Sequence, residues 1–277
     1  MPAYFIAEIG SNHNGSLEQA KQLVDSLKGT GVHAIKTAKR DVELHKDVWM
    51  ATEYNNQHSY GENYYEHRKN LELDKNDFVA FKDYVKKSGF DFICSFTDIN
   101  SFDFLVDRCR CDYYKIASSR VTDTELLKFI RDKKNIDNII LSTGMSELHD
   151  VYNAVRILEP EIIMQCTSSY PCAMYDCHLS VIDEYKRQFH YSKIGYSNHC
   201  TNPMACITAY TMGAEVIEFH YTLDQNGKGT DHKLSFVRHQ VNEIIQGCIS
   251  VDIMRGAPYK AIHKCELPAI KKLRADL

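Results

Sequence analysis

Eight times along its 277 residues, this chain places a short β-branched or aromatic run ahead of an amphipathic stretch, and that repetition restricts the fold more than any other feature. The first pair is "YFIAEIG" and "LEQAKQLVDSLKGTG"; the last is "VIEFHYT" and "VRHQVNEIIQGCI". Between them come "HAIKTAK", "DFICSF", "YYKIAS", "NIILST", "IIMQCTS" and "KIGYSN", each followed by a stretch of helical period. Most of these runs are apolar on both faces, as expected of strands in a parallel sheet with helices outside and packed side chains inside. Eight such units close most naturally into a single α/β domain, the (β/α)8 or TIM barrel, with an open doubly wound sheet as the alternative. The length suits one undivided barrel.

The barrel is expected over residues 1–257, with an elaborated loop at about 40–74 and a C-terminal tail over 258–277. The segment from Arg40 to about Asp74 is long, polar and rich in Tyr, Asn and His, which fits a functional loop over the barrel mouth better than a second domain. No Gly-rich phosphate fingerprint follows the first strand, which argues against a dinucleotide site. With 33 Lys plus Arg against 37 Asp plus Glu and no long run of either sign, nothing marks a surface for nucleic acid or an anionic membrane. A small-molecule partner is expected instead. The ten cysteines are scattered through apolar runs and no secretory signal precedes the first strand, so the chain is expected to be reduced and cytoplasmic. Cys109 with Cys111 and Cys172 with Cys177 do not repeat in the paired spacing of a structural zinc site, and read as core or loop thiols.

Reacting groups of a (β/α)8 barrel collect at the C-terminal ends of its strands. Here every strand ends in polar chemistry: Glu8, Lys36 with Thr37, Ser95 with Thr97, Lys115 with Ser118, Ser142 with Thr143, Thr167 with Ser168, Ser197 with His199, and His220. Some of the hydroxyls read equally well as helix caps. Lys36 and Lys115 sit in apolar surroundings where an ammonium needs an anion, supplied either by a ligand or by a structural ion pair. A pocket of two lysines and several hydroxyls suits a phosphate or carboxylate. His199 and His220 close consecutive strands whose axes lie about 4.8 Å apart. They are either ordinary core or surface histidines, or two ligands of one divalent ion with positions left open for substrate.

The motifs "AEIGSNHNGSLEQAKQLV", "KIASS", "ILSTGM", "CTSSYP", "GYSNH" and "VIEFHYTLDQNGKGTDHKLS" resemble the N-acetylneuraminic (sialic) acid synthase family over about residues 4–240. That family's barrel condenses phosphoenolpyruvate with an N-acetylated hexose. The resemblance implies a divalent metal on His199 and His220, Mn²⁺ first, with Mg²⁺ or Co²⁺ as alternatives. It also implies that Lys36, Ser95, Lys115, Ser118, Ser142, Ser168 and Ser197 surround phosphoenolpyruvate, while Glu8, Tyr170 and Asp231 face the amino-sugar acceptor. Glu8 or Asp231 would manage a proton, and the barrels would pair as a homodimer. The product would be a nine-carbon 2-keto sugar acid, sialic or a related nonulosonic acid. A barrel that binds sugar, or pairs with a full-length synthase, without catalysing is the competing expectation.

Several positions depart from the family's pattern. Ser119 and Arg120 replace a Gly and an acid, "KTAK" replaces "KFQ" on the second strand, and Ser168 stands where Asn is common. The sequence also stops where the family adds a small antifreeze-like domain that lends an arginine to the partner's acceptor site. Arg120 is therefore expected either to meet an anionic or strongly polar acceptor group, or to point outward and pair with an acid such as Asp123.

Overall fold

The computed structural model describes residues 3–133 and 136–274. Three parts of the expected segments lie outside the described residues: positions 1–2 of the barrel, position 134 at the end of the "TDTELLKFIRDKK" run, and positions 275–277 of the tail. Strands β1 (Tyr4–Glu8), β2 (Ala34–Lys39), β3 (Asp91–Phe96), β4 (Tyr113–Ile116), β5 (Ile139–Ser142), β6 (Ile162–Cys166), β7 (Lys193–Asn198) and β8 (Val216–His220) close in sequence order into an all-parallel barrel. Closure comes from β1 pairing with β8 as well as with β2, which excludes the open sheet.

Side chains alternate across a strand, so each strand sends every second residue inward. Near the N-terminal ends, Ile6, Ala34, Ile93, Ile140, Met164 and Val216 fill the barrel as one apolar layer. Two residues further along the same faces the chemistry changes to Glu8, Lys36, Ser95, Ser142, Cys166 and Glu218. Lys115 and Ser197 follow Tyr113 and Gly195 in the same way. The apolar layer seals the floor, and the polar residues above it form the site.

The outward positions Phe5, Ile35, Phe92, Leu141, Ile163 and Phe219 belong to the larger apolar cluster shared with the helices. Among the described residues these are α1 (Leu17–Leu27), α2 (Lys46–Met50), α3 (Tyr64–Leu71), α4 (Lys75–Lys87), α5 (Ile99–Phe104), α6 (Thr124–Asp132), α7 (Leu148–Leu158), α8 (Val181–Gln188), α9 (Met204–Thr211), α10 (Arg238–Arg255) and α11 (Leu267–Leu273). α1 shows how they are written. Ser16 caps its start by accepting from the Gln19 amide, and Ala20, Leu23, Val24 and Leu27 recur at helical spacing on its buried face. Leu23, Val24 and Leu27 each contribute about 1.5–3 kcal/mol relative to exposure.

The segment after β2 carries α2 and α3 rather than a featureless loop. It reaches across the mouth and fastens to the connection after β8. The Tyr60 hydroxyl donates to the Lys228 carbonyl at 2.6 Å, and the Gly229 amide donates to His58 Nδ1 at 3.3 Å. Gly229 has φ +138°, a conformation that glycine adopts without a Cβ penalty. After α10 the chain runs to the short α11, with Tyr259, Ile262, Leu267 and Leu273 exposed. The cysteines are free, and all but Cys265 are buried. Among the described residues no helix is long and apolar enough to cross a membrane.

Candidate active site

The register of the barrel places Glu8 beside Lys36 on β2 and beside His220 on β8, while Ser197 on β7 lies opposite Glu218 on β8. Closing the sheet then gathers the charges. Lys115 Nζ donates to Glu218 Oε1 at 2.7 Å and to Ser197 Oγ at 3.2 Å, and Ser197 Oγ donates to the same Glu218 oxygen at 3.0 Å. Lys36 pairs with Glu8 and lies 3.5 Å from Glu218 Oε1. All four charged side chains are buried. Withdrawing ions from water is costly, and here each ammonium is offset by a carboxylate. Each lysine thus has a carboxylate partner within the protein.

Burial acts to raise the Glu218 carboxyl, but the charges of Lys115 and Lys36 outweigh it and hold Glu218 ionised below the usual range. Burial pulls Lys36 down to about 8. Glu218 Oε2 is buried with no hydrogen-bond partner, so the cluster retains an unsatisfied acceptor. A ligand hydroxyl or a water could satisfy it.

The two histidines meet at the top of this cluster. β8 ends on His220, and His199 lies one residue beyond β7. Their ring centroids are 5.5 Å apart, and the Tyr170 ring packs on His199 at 4.2 Å. His199 Nδ1 lies 2.7 Å from the Thr167 carbonyl, which makes Nδ1 the protonated nitrogen and leaves the Nε2 lone pair free. Burial, reinforced by His220, lowers His199 to about 3, and burial also lowers His220. His220 Nδ1 is out of contact with solvent and has no partner. Two neighbouring neutral imidazoles, one with its Nε2 lone pair free and the other with an unpartnered Nδ1, fit a divalent metal. Among the described residues no group of three or more His, Cys, Asp or Glu side chains converges on one point. A metal here would take the two imidazoles and draw its remaining ligands from substrate and water.

Asp231 and Glu8 border the histidines. A Cβ on Gly10 would lie 2.9 Å from Asp231 Oδ2, 3.2 Å from Glu8 Oε1 and 3.8 Å from His220 Cε1, and Gly10 itself has φ +46°. Glycine thus keeps the backbone clear between two carboxylates and an imidazole. Burial acts to raise Asp231, but His220, the Thr230 hydroxyl and the charges of Arg68 and Arg40 together hold it below the ordinary carboxylate range.

Eleven of the twelve residues singled out in the sequence line one cavity of about 470 Å³: Glu8, Lys36, Ser95, Lys115, Ser118, Ser142, Tyr170, Ser197, His199, His220 and Asp231. Ser168 does not, and lies in an adjoining hollow of about 400 Å³. Ser118 Oγ accepts from the Gly144 amide at 3.0 Å, which fixes that hydroxyl in the lining. Arg120 is absent from the lining, and its Nη1 lies 3.4 Å from Asp123 Oδ2.

Three charged lining residues escaped the sequence reading. Glu218 was detectable, because it precedes His220 by two positions in "VIEFH" and so shares its face. Arg40 and Arg68 gave no periodic signal. Arg40 opens a segment read only as a loop, and Arg68 lies on α3 within it. The specific "SNHNG" run proves largely architectural: Asn12 Nδ2 donates to the Tyr221 carbonyl at 2.8 Å and to Ser235 Oγ at 2.9 Å, tying the first loop to the last.

A (β/α)8 barrel with paired lysines and carboxylates beneath two neighbouring imidazoles, gathered at the C-terminal ends of its strands, has the layout of an enzyme active site. The NeuB family model matches residues 23–260, and the chain belongs to that family. It is 32% identical over 278 residues to the N-acetylneuraminate-9-phosphate synthase of Mus musculus, covering 98% of this chain and 76% of that one. It is 31% identical over 288 residues to the N,N'-diacetyllegionaminic acid synthase of Legionella pneumophila, covering 100% of this chain and 80% of the other. In structure it is similar to the sialic acid synthetase of Leptospira borgpetersenii, with a TM-score of 0.82, 26% identity and coverage of 99% and 92%. With relatives that are named as synthases, the chain is an enzyme of the synthase class.

Proposed function

We propose that this enzyme condenses phosphoenolpyruvate with an N-acetylated amino sugar, of the N-acetylmannosamine or diacetamido-hexose type, to give a nine-carbon 2-keto sugar acid and inorganic phosphate. The observation that carries this reading is the buried Lys36, Lys115 and Glu218 cluster lying directly beneath His199 and His220 in one cavity. The names of the relatives, each a synthase of a sialic or nonulosonic acid, support it.

His199 and His220 would hold a divalent metal, Mn²⁺ by preference and Mg²⁺ or Co²⁺ otherwise, which supplies Lewis-acid polarisation of a carbonyl when bound. The ammonium groups of Lys36 and Lys115 face the charges of phosphoenolpyruvate, with Ser95, Ser118, Ser142 and Ser197 as hydroxyl partners and Ser168 behind that wall. C3 of phosphoenolpyruvate bonds to the aldehyde carbon of the open-chain sugar, and water adds to the cationic C2. The resulting adduct then loses phosphate by cleavage of its C–O bond. Asp231, held ionised, and Glu8 border the acceptor end and serve to take or give the proton at the new hydroxyl or at the attacking water. Tyr170, its ring tilted against that of His199, packs against the sugar. Pairing of two barrels as a homodimer and a cytoplasmic location belong to the same reading.

The test is incubation with phosphoenolpyruvate, Mn²⁺ and a panel of N-acetylmannosamine, its 6-phosphate and diacetamido-hexoses, reading phosphate release and product mass. One of these acceptors should give equimolar phosphate and a sugar acid three carbons longer. Absence of phosphate release with every sugar would overturn the proposal.

A further inference from the structure

We propose that Asn12 is a positioning residue for the condensation: it closes the neck of the loop between β8 and α10 and, through Ser235, fixes Asp231 beside the two histidines. The inference rests on the role given to Asp231 above and concerns how that carboxylate is held in place.

Asp231 lies on no strand or α-helix that could orient it. The chain leaves β8 at His220, runs out through exposed positions that include Asp224, Asn226, Lys228 and Thr230, and returns to pair Phe236 with Tyr221. The Phe236 amide donates to the His220 carbonyl at 2.8 Å and the Thr222 amide to the Phe236 carbonyl at 3.0 Å, so the excursion begins and ends at one narrow neck. Asn12, on the loop after β1, sits at that neck and is 1% exposed. Its Nδ2 donates to the Tyr221 carbonyl on the outgoing side at 2.8 Å and to Ser235 Oγ on the returning side at 2.9 Å. Ser235, itself buried, passes its hydroxyl hydrogen to the Asp231 carbonyl at 2.6 Å. The backbone of Asn12 is held in turn, its amide donating to the Ile9 carbonyl at 2.8 Å and its carbonyl accepting from Gln19 Nε2 at 2.8 Å. An unbroken series of hydrogen bonds thus runs from the end of β1 to the backbone of Asp231.

The arrangement requires a neutral side chain with two hydrogens on one nitrogen. Ser235 Oγ gives its single hydrogen to Asp231, so it meets Asn12 as an acceptor, and the Tyr221 carbonyl is an acceptor as well. An Asp at position 12 would have the same shape with no hydrogen to offer. It would draw the Ser235 hydroxyl to itself and release the Asp231 carbonyl. The Asp231 side chain has little else to orient it: among the described residues its carboxylate accepts one side-chain hydrogen bond, from the hydroxyl of the exposed Thr230 at 3.1 Å. Its direction is therefore set through the backbone. Asp231 shares the narrow space around Gly10 with Glu8 and His220, and misplacing a reacting group there by about 1 Å costs roughly a hundredfold in rate.

The test uses the full chain with phosphoenolpyruvate, Mn²⁺ and the acceptor of the panel that it turns over. The isosteric Asn12→Asp should lower kcat roughly ten- to a hundredfold and leave the KM for phosphoenolpyruvate within about threefold, because Lys36, Lys115 and Glu218 stand on the strands themselves. Ser235→Ala should do the same, and Ser235→Thr, which keeps the hydroxyl, should recover most of the loss. In an Asp231→Asn background, Asn12→Asp should lower kcat by no more than about twofold further, since both changes act through one carboxylate. Additive effects of Asn12→Asp and Asp231→Asn, or an unchanged kcat in both Asn12→Asp and Ser235→Ala, would overturn the proposal while leaving the condensation reading intact. An Asp231→Asn enzyme as fast as the parent would remove the role of Asp231 and the positioning role with it. If the parent turned over no acceptor, the condensation reading would fail by itself, and hydrogen exchange over residues 224–236 would still decide how Asp231 is held. Exchange faster there by about tenfold in Asn12→Asp, with the strands unchanged, supports the tie, and equal exchange in parent and variant removes it.

Discussion

Lys115 Nζ lies 2.7 Å from Glu218 Oε1, and Lys36 approaches the same oxygen at 3.5 Å. One carboxylate thus holds two ammonium groups inside the barrel before any substrate arrives. The arrangement keeps both cations oriented, and an incoming anion would compete with Glu218 for charges already in place.

Glu218→Leu should therefore be costly, because it leaves Glu8, among the described residues, as the one carboxylate paired with the two buried ammonium groups. A loss of about 3–5 kcal/mol, the scale for breaking a buried pair, is expected from urea unfolding. The parent should also be acid-sensitive at this residue. Its folded-state pKa lies below the unfolded value of 4.5, so the stabilisation is complete above pH 4.5 and is lost as pH falls through the lower folded value. Melting curves should show a steeper decline below pH 4.5 for the parent than for Glu218→Gln, and parallel curves would contradict this assignment.

Lys36 should link the binding of phosphoenolpyruvate to pH. Burial lowers it to about 8 from 10.5, so above pH 8 the free protein is increasingly neutral at this position. An anionic ligand favours the ammonium form and raises the pKa, so binding takes up protons and affinity declines as pH rises through 8. Calorimetry at pH 8.5 in buffers of different ionisation enthalpy should reveal that uptake, and Lys36→Met should abolish it. Buffer-independent enthalpies in the parent would place the proton elsewhere.

Chelation should stop phosphate release, and Mn²⁺, Co²⁺ or Mg²⁺ should restore it. His199→Ala and His220→Ala should each lower turnover roughly a hundredfold or more, because polarisation by a metal is worth several kcal/mol. Elemental analysis of the purified variants supplies an independent readout, since the double variant should no longer retain metal. Unchanged turnover by the double variant in metal-free buffer would end the metal assignment.

Arg120→Glu should be nearly silent in catalysis. Its pairing with Asp123 at 3.4 Å is part-exposed, worth about 0–1 kcal/mol, and lies outside the cavity lining. Specificity constants across the acceptor panel should change by no more than about threefold, which is under 1 kcal/mol. A selective loss for anionic acceptors would return Arg120 to the site.

The eightfold strand and helix rhythm and the polar strand ends were legible in the sequence because each depends on local periodicity. Inward positions repeat every second residue, so Ile6 predicts Glu8, and Ala34 predicts Lys36, as members of one face. By the same alternation Glu218 was readable from His220. What tertiary structure alone decided is which of these groups meet. Lys36 and Lys115 converge on Glu218 across 182 and 103 residues of chain only because β8 closes onto β1 and the barrel is narrow enough to bring distant strands together. Ser168 is turned into the adjoining hollow, and Arg120 finds Asp123 within its own turn. Arg40 and Arg68 reach the mouth because a segment with no barrel periodicity folds back over it. Local pattern specifies the faces of strands, whereas the partners of a charge depend on the distances that closure sets.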